Sequence, residues 1–305
     1  MKHHLEEVRK QLHQISNESS ITTWQLYPGI ELSFVDCQAE QLSVHHDSFN
    51  HILQLNYCRE GRLGWRMNNG NTVYLGPHDY SLHMMDSCSD SEITLPNGSY
   101  SGLILCFDLT ELSENPPELL AETGITVELL CHKFCANKTF TSLAGNEETE
   151  AIFSSFFCQP DNLQMTYWKI KTIELLLYLS KSDNSAQRYL TGYQSEQVKI
   201  IREIHENLVT HLDQRLTIEY LSKQYLMNPT TLKNVFKAVY GTSIAAHMKE
   251  HRMKYAARLL LETNDAIIQI SKAVGYDTQS KFTAAFKDYF QILPTEYRKQ
   301  HYREQ

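Results

Sequence analysis

The sequence predicts an α+β chain of two domains, an N-terminal β-barrel with flanking helices and a C-terminal all-α domain containing a doubled helix-turn-helix. Three observations carry that reading. A length of 305 residues exceeds what one hydrophobic core organises comfortably. Apolar residues repeat with period 2 over about 20–110 and with period 3.6 beyond 195. Charge is also unevenly divided: residues 193–305 carry 16 Lys and Arg against 12 Asp and Glu, a surplus of +4, whereas residues 1–192 carry 12 against 24, or −12, within a total of −8.

The chain opens on an amphipathic helix, with Leu5, Val8, Leu12 and Ile15 at helical spacing and no apolar core of a signal peptide. No stretch approaches the roughly 18–20 apolar residues of a membrane helix, so a cytoplasmic protein without a membrane partner is expected. Seven cysteines stand at 37, 58, 88, 106, 131, 135 and 158 with no Cys-x-x-Cys, which fits reduced thiols. Cys131 and Cys135 are the one close pair. A redox or metal role is open to them on a helix, beside the plainer reading as buried thiols.

Strands follow. Leu53, Leu55 and Tyr57 alternate with polar residues, and Leu63, Trp65 and Met67 follow a Glu60-Gly61 turn. After Asn68-Asn69-Gly70-Asn71 come Val73 and Leu75, then Tyr80, Leu82 and Met84, and beyond Pro96-Asn97-Gly98 come Leu103, Leu105 and Phe107. Short strands at this spacing predict a small barrel or sandwich. Asn115-Pro116-Pro117 closes the β section, and 116–181 reads as helical. Over 165–180, Ile170, Ile173, Leu176, Leu177 and Leu179 form a broad apolar face that either packs on the barrel or joins two copies as a homodimer. The small polar run 182–187 places a linker at 182–194, between a sensor or dimerisation domain over 1–181 and a helical domain over 195–305.

In that last segment helix punctuation dominates. Thr217 is an N-cap for 218–225, and Asn228 caps a second helix with Pro229 at its first position and Gly241 past its end. Leu232, Val235, Phe236 and Val239 form its buried stripe and leave Thr230, Thr231, Lys233, Asn234 and Lys237 on other faces. Some 50 residues on the pattern returns: a helix over 266–274, a Gly275-Tyr276-Asp277 turn, and a helix over 278–290 with Phe282, Phe286 and Phe290 inward and Gln279, Ser280 and Lys281 in its exposed first turn. One long helix, 243–261, joins the two. Short polar and basic side chains at the start of a helix are what major-groove reading requires. For one helix alone a solvated face explains them equally well; the repeat favours DNA.

Residues 211–299 resemble the DNA-binding domain of the AraC/XylS family of transcription regulators. The resemblance rests on Leu232-Lys-Asn-Val-Phe236, Tyr240-Gly-Thr-Ser243, Arg252-Met-Lys-Tyr-Ala-Ala-Arg-Leu-Leu260, Ile270-Ser-Lys-Ala-Val-Gly-Tyr276, Gln279-Ser-Lys-Phe282, Phe286-Lys287 and Pro294-Thr-Glu-Tyr-Arg298. It implies seven helices in two helix-turn-helix subdomains that enter successive major grooves of double-stranded DNA, with RNA polymerase a candidate partner. It assigns base reading to Thr230, Thr231, Lys233 and Asn234 in the first unit and to Gln279, Ser280 and Lys281 in the second. Lys237 and Lys287 suit phosphates. Ala284 and Ala285 depart from the family pattern, where a long polar side chain is common, so base discrimination is expected mainly from 228–237.

By architecture the strand-rich half is similar to the cupin-like sensors of that family. An effector pocket is then expected among Tyr57, Trp65, Tyr74, Tyr80, His83 and Phe107, each of which is equally well read as core. The effector class stays open, with an iron-siderophore one candidate beside sugars, fatty acids and aromatic compounds. His45 and His46 are adjacent and point to opposite faces, and His51, His78 and His83 are scattered; neither a metal nor a cofactor is expected anywhere in the chain. The competing readings are a ligand-independent regulator controlled by abundance or a protein partner, and a cupin enzyme with a DNA-binding tail. No nucleophile–base set or phosphate loop supports the enzyme.

Overall fold

The computed structural model describes residues 4–12, 19–39, 41–45, 49–66, 70–88, 90–135, 140–182 and 188–301, with the side chains of 11–12, 42–45, 87–88 and 90–92 left aside. Ile15, His46, Asn68-Asn69 and the expected linker residues 183–187 lie outside the described residues, as does the side chain of His45. The chain forms two compact units, Met1–Ser195 and Glu196–Gln305.

The N-terminal unit begins with helix α1 (His4–Leu12). Strands β1 (Ser19–Tyr27), β2 (Ile30–Gln38), β3 (Gln41–His45), β4 (Ile52–Gly61), β5 (Leu63–Arg66), β6 (Asn71–Leu75), β7 (Tyr80–Met84), β8 (Asp90–Thr94) and β9 (Ser99–Asp108) follow. Next come α2 (Leu109–Glu114), α3 (Glu118–Ala121), α4 (Val127–Cys135), β10 (Phe140–Leu143), α5 (Glu147–Ser154), α6 (Gln164–Lys181) and β11 (Tyr193–Gln194). The strands make two sheets, β1-β2-β9-β4-β7-β10 and β11-β6-β5-β8-β3. The expected barrel is therefore corrected to two sheets that do not close. The meander reading overlooked non-local strands: β10 lies inside the stretch read as helical, and β11 lies inside the expected linker.

Residues 188–195 are held against the N-terminal unit. Leu190 N donates to Ser142 O at 2.9 Å, Tyr193 pairs with Thr72, and Ser195 N donates to Gly70 O at 3.0 Å.

Alternation divides the six-stranded sheet into two buried faces. One face presents Ile30, Leu32, Leu53, Leu55, Leu103 and Leu105 to a core completed by α2 to α6. The other contributes Val35, Cys37, Cys58, Ile104 and Cys106 to a second core that also holds Leu63, Trp65, Val73 and Leu75 of the smaller sheet. Leu5 and Val8 of α1 join this second core, and Arg9 forms an ion pair with the buried Glu31 of β2.

The α6 face that sequence left open between barrel and dimer packs inside the unit. Trp168, Thr172, Ile173, Leu175, Leu176 and Leu179 are buried, and Trp168 Nε1 donates to Phe156 O at 2.9 Å. Its predicted member Ile170 is instead 53% exposed, because it lies off the stripe that contacts the core.

The C-terminal unit contains α7 (Ser195–Thr210), α8 (Ile218–Gln224), α9 (Pro229–Tyr240), α10 (Ile244–Glu262), α11 (Ile267–Ala273), α12 (Gln279–Phe290) and α13 (Pro294–His301). The predicted caps Thr217, Asn228 and Gly241 are present, and Ser243 and Thr278 add two that the sequence reading places inside their helices. Thr217, Asn228, Ser243 and Thr278 side chains accept from the first-turn amides of α8, α9, α10 and α12, and Gly241 ends α9 at φ +82°. α10 is shared by two packing groups: Ile244 and Met248 are buried near its start, and Met253, Ala256 and Leu260 enter the core with Ile270, Val274, Phe282 and Phe286.

Leu226, in the turn between α8 and α9, has φ +50° and is 94% exposed. It makes no packing that a smaller residue would lose. Glycine there removes about 1–2 kcal/mol of left-handed strain and adds back about 0.5–1 kcal/mol of unfolded-chain entropy. Leu226→Gly is therefore expected to raise the thermal transition of the C-terminal unit by a few degrees, read by circular dichroism; a fall would show that this turn does not hold the left-handed conformation.

Candidate nucleic-acid interface

Helices α9 and α12 align position for position from their N-caps, Asn228 and Thr278. Leu232 matches Phe282 and Phe236 matches Phe286, all four fully buried. On the opposite side of α9, Thr230, Lys233, Asn234 and Lys237 are exposed and follow one another at steps of three and four residues, so they share one stripe. Thr231 falls about 100° away and is half-buried, which separates it from the other expected readers.

On α12 the equivalent stripe is Ser280, Thr283, Ala284 and Lys287, of which Thr283 is half-buried and the others exposed. Thr283 was missed by the sequence reading; numbering both helices from their caps would have found it. Gln279 and Lys281 are also exposed but lie off this stripe, and Lys281 Nζ is 3.6 Å from Asp277 Oδ2. The α9 stripe thus carries two cations, an amide and a hydroxyl, the α12 stripe two hydroxyls, a methyl and one cation.

Among the described residues Lys233, Lys237 and Lys287 have no ion pair, whereas Lys249, Lys254 and Arg258 are paired with Asp288, Glu250 and Glu262. The Asp288 carboxylate at 2.5 Å holds the Lys249 ammonium above its ordinary pKa. The lysines on the two stripes are therefore free to meet an external anion, as are Lys223 and Lys272 elsewhere in the unit.

Three arginines of the C-terminal unit hold backbone carbonyls. Arg252 Nη2 donates to Gln214 O at 2.7 Å, Arg215 Nε to Gly275 O at 3.4 Å, and Arg298 to Leu260 O and Asp265 O at 3.1 and 2.8 Å. The first two tie the segment before α8 to α10 and to the α11–α12 turn, and so couple the placement of the two helix-turn-helix units.

The six expected pocket residues do not come together. Tyr57, Tyr80 and Phe107 lie in the core under the helices, with Tyr57 stacked on Phe153 at 4.2 Å between ring centroids. Trp65 and His83 lie between the sheets, where His83 Nε2 is 3.1 Å from Gln54 Oε1 and its ring stacks on Phe140. Tyr74 is buried against Gly64 and Thr94. The period-2 pattern made every aromatic look as if it faced one interior, yet the larger sheet is covered on both faces.

Polar residues share the space between the sheets. Glu31, Ser33, Gln54, Asn56, Ser81 and His83 are all buried, with Asn56 Nδ2 donating to Ser81 Oγ at 3.4 Å. A cavity of about 430 Å³ opens beside α1, lined by residues that include His4, Arg9, Glu31 and Asp108. Cys131 and Cys135 do lie on one helix, α4, and a hydrogen bond from Cys135 lowers the Cys131 thiol to about 7 while raising that of Cys135.

Paired helix-turn-helix units with matched caps, buried stripes and free lysines on the outer face define a DNA-binding domain. Residues 221–300 match a family model for a helix-turn-helix domain, and the C-terminal unit is similar to transcription regulators of the AraC type. The virulence regulon transcriptional activator VirF of Yersinia enterocolitica is 31% identical over 137 residues, which cover 44% of this chain and 48% of that protein. The HTH-type transcriptional regulator ExsA of Pseudomonas aeruginosa is 30% identical over 131 residues, covering 41% and 45%. The chain thus spans about half the length of these relatives. Among solved structures, the C-terminal domain of AraT, a response regulator from Geobacillus stearothermophilus, is 34% identical with a TM-score of 0.32, covering 33% of this chain and 84% of that one. Among the described residues no helix is long and apolar enough to cross a membrane.

Proposed function

We propose that this protein is a sequence-specific DNA-binding transcription regulator that works in the cytoplasm without catalysing a reaction. The carrying observation is the exposed α9 stripe Thr230, Lys233, Asn234 and Lys237, set opposite a fully buried face in a unit similar to transcription regulators. Thr230, Lys233 and Asn234 are positioned for base edges, and Lys237 and Lys287 for phosphates. Ser280 and Thr283 supply a shorter second reader, so discrimination is concentrated in the first half-site.

Selection of bound duplexes from a random pool by the full chain tests this reading. A long asymmetric motif with its more constrained half under α9 is the expected result; recovery of unrelated sequences at equal affinity would refute it. Lys237→Ala and Lys287→Ala are each expected to weaken cognate and random duplexes alike. Each should also lower the slope of log K against log salt by about 1, because each releases one phosphate contact.

The N-terminal unit is proposed to hold a small effector beside α1. The cavity of about 430 Å³ there supports this: Arg9, Gln25, Glu31 and Asp108 line it beside Leu5 and Pro28, and such mixed lining orients a ligand. A thermal-shift screen of metabolites on the full chain, repeated on Gln25→Leu, tests it: a stabilising compound whose effect the variant loses is expected.

A further inference from the structure

Three histidines of the C-terminal unit converge away from the two reading stripes. His205 is on α7, and His247 and His251 stand one turn apart on α10. His205 Nε2 is 3.0 Å from His247 Nε2, which is 3.1 Å from His251 Nε2, and one ligand atom from each ring lies within 4.8 Å of the other two. A neutral ring nitrogen carries either a hydrogen or an in-plane lone pair, never both. At His247 Nε2, a hydrogen serves one neighbour only, and a lone pair must be shared by two donors. Protons alone therefore satisfy this junction poorly.

A metal ion satisfies it directly. With zinc–nitrogen bonds of about 2.0–2.1 Å, tetrahedral ligand nitrogens lie about 3.3 Å apart, within a few tenths of an ångström of both contacts. Burial and the neighbouring rings lower the pKa of His247 to about 4. Burial also lowers those of His205 and His251, against the opposing pull of Glu206 and Glu250 respectively. Burial thus favours the uncharged ring, the form that ligates a metal. The rings are held in place: His205 stacks on Tyr240 at 4.4 Å, and His247 meets Phe236 edge-on at 5.5 Å. Glu206 Oε1 lies 3.7 Å from His205 Nδ1, placed to orient that ring from behind. His251 lines an open groove of about 700 Å³ with Asp213, Lys254 and Arg258, so the cluster is reached from solvent through that ring.

We propose that His205, His247 and His251 form a three-histidine site for a divalent transition metal of the zinc class, tying α7 to α10 at the end of the first recognition helix. Imidazole-only ligation selects zinc, nickel, cobalt or copper over calcium and magnesium, which take oxygen ligands. Tyr240, the last residue of α9, packs on two of the rings, so the bound ion would stiffen the scaffold of the first helix-turn-helix.

The test uses the full chain without an affinity tag, stripped by a chelator, and titrated with cobalt chloride by absorption and zinc chloride by calorimetry. One equivalent is expected to bind in each case. The cobalt form should show visible ligand-field bands without the strong near-ultraviolet sulfur charge-transfer band that Cys131 and Cys135 would produce. His251→Gln should weaken zinc binding by about 100-fold or more, above the 10- to 100-fold typical of losing an outer partner. Unchanged far-ultraviolet circular dichroism checks the fold, and His205→Gln repeats the test should His251→Gln disturb it. Absence of stoichiometric uptake, a sulfur charge-transfer band, or equal zinc affinity in folded variants would overturn the site. These readouts need no DNA and are independent of the regulatory reading.

Discussion

Gly275→Ala is expected to cost the C-terminal unit at least about 3 kcal/mol and to abolish tight DNA binding. Gly275 sits at φ +76° in the α11–α12 turn, and an added Cβ would lie 2.4 Å from Leu212 O and 3.0 Å from Arg252 Nη2. The left-handed backbone alone costs a β-carbon about 1–2 kcal/mol, and the collision is with a main-chain oxygen that cannot rotate away. Relieving it would move the segment that Arg215 and Arg252 tie to Gly275 O and Gln214 O, and with it the spacing of the two recognition helices. Thermal unfolding by circular dichroism and a duplex titration read both consequences. A transition within a degree of the parent, with unchanged affinity, would show that neither the turn nor the tie matters.

Asn234→Ala and Lys233→Ala should each weaken the selected duplex by about 1–3 kcal/mol, roughly 5- to 150-fold, and leave random duplex much less affected. Both side chains are exposed and replaceable without touching the buried stripe Leu232, Val235, Phe236 and Val239, so stability should hold. The matching change Thr283→Ala should have a smaller effect, because a half-buried hydroxyl reaches less far than an amide or an ammonium. Equal losses on selected and random duplexes would reassign Lys233 and Asn234 to phosphate contacts.

What was legible beforehand follows from range. Thr217 and Asn228 act on amides two or three residues away, and Phe282 and Phe286 recur at helical steps, so a linear reading reaches them. Thr283 was hidden because it has no exposed charge to announce it and because its role rests on alignment with Lys233. His247 and His251 stood at a spacing of four on a predicted helix, which is a ligand pattern in itself; their partner His205 lies 42 residues from His247. The strands β10 and β11 have four and two residues, too short to show a period.

The sequence by itself determined the paired helices of the C-terminal unit, the caps at Thr217, Asn228 and Gly241 and the exposed polar face of α9, because short-range hydrogen bonds and a 3.6-residue repeat specify each of these locally. Tertiary structure decided the rest. It set two open sheets in place of a barrel, buried the apolar face of α6 within its own unit, and dispersed Tyr57, Trp65, Tyr74, Tyr80, His83 and Phe107 among separate environments. It also brought three histidines to one point. Each of those outcomes depends on which distant segments pair, and that choice is made by the burial of both faces of one sheet and by contacts across the fold, which alternation along a single strand does not record.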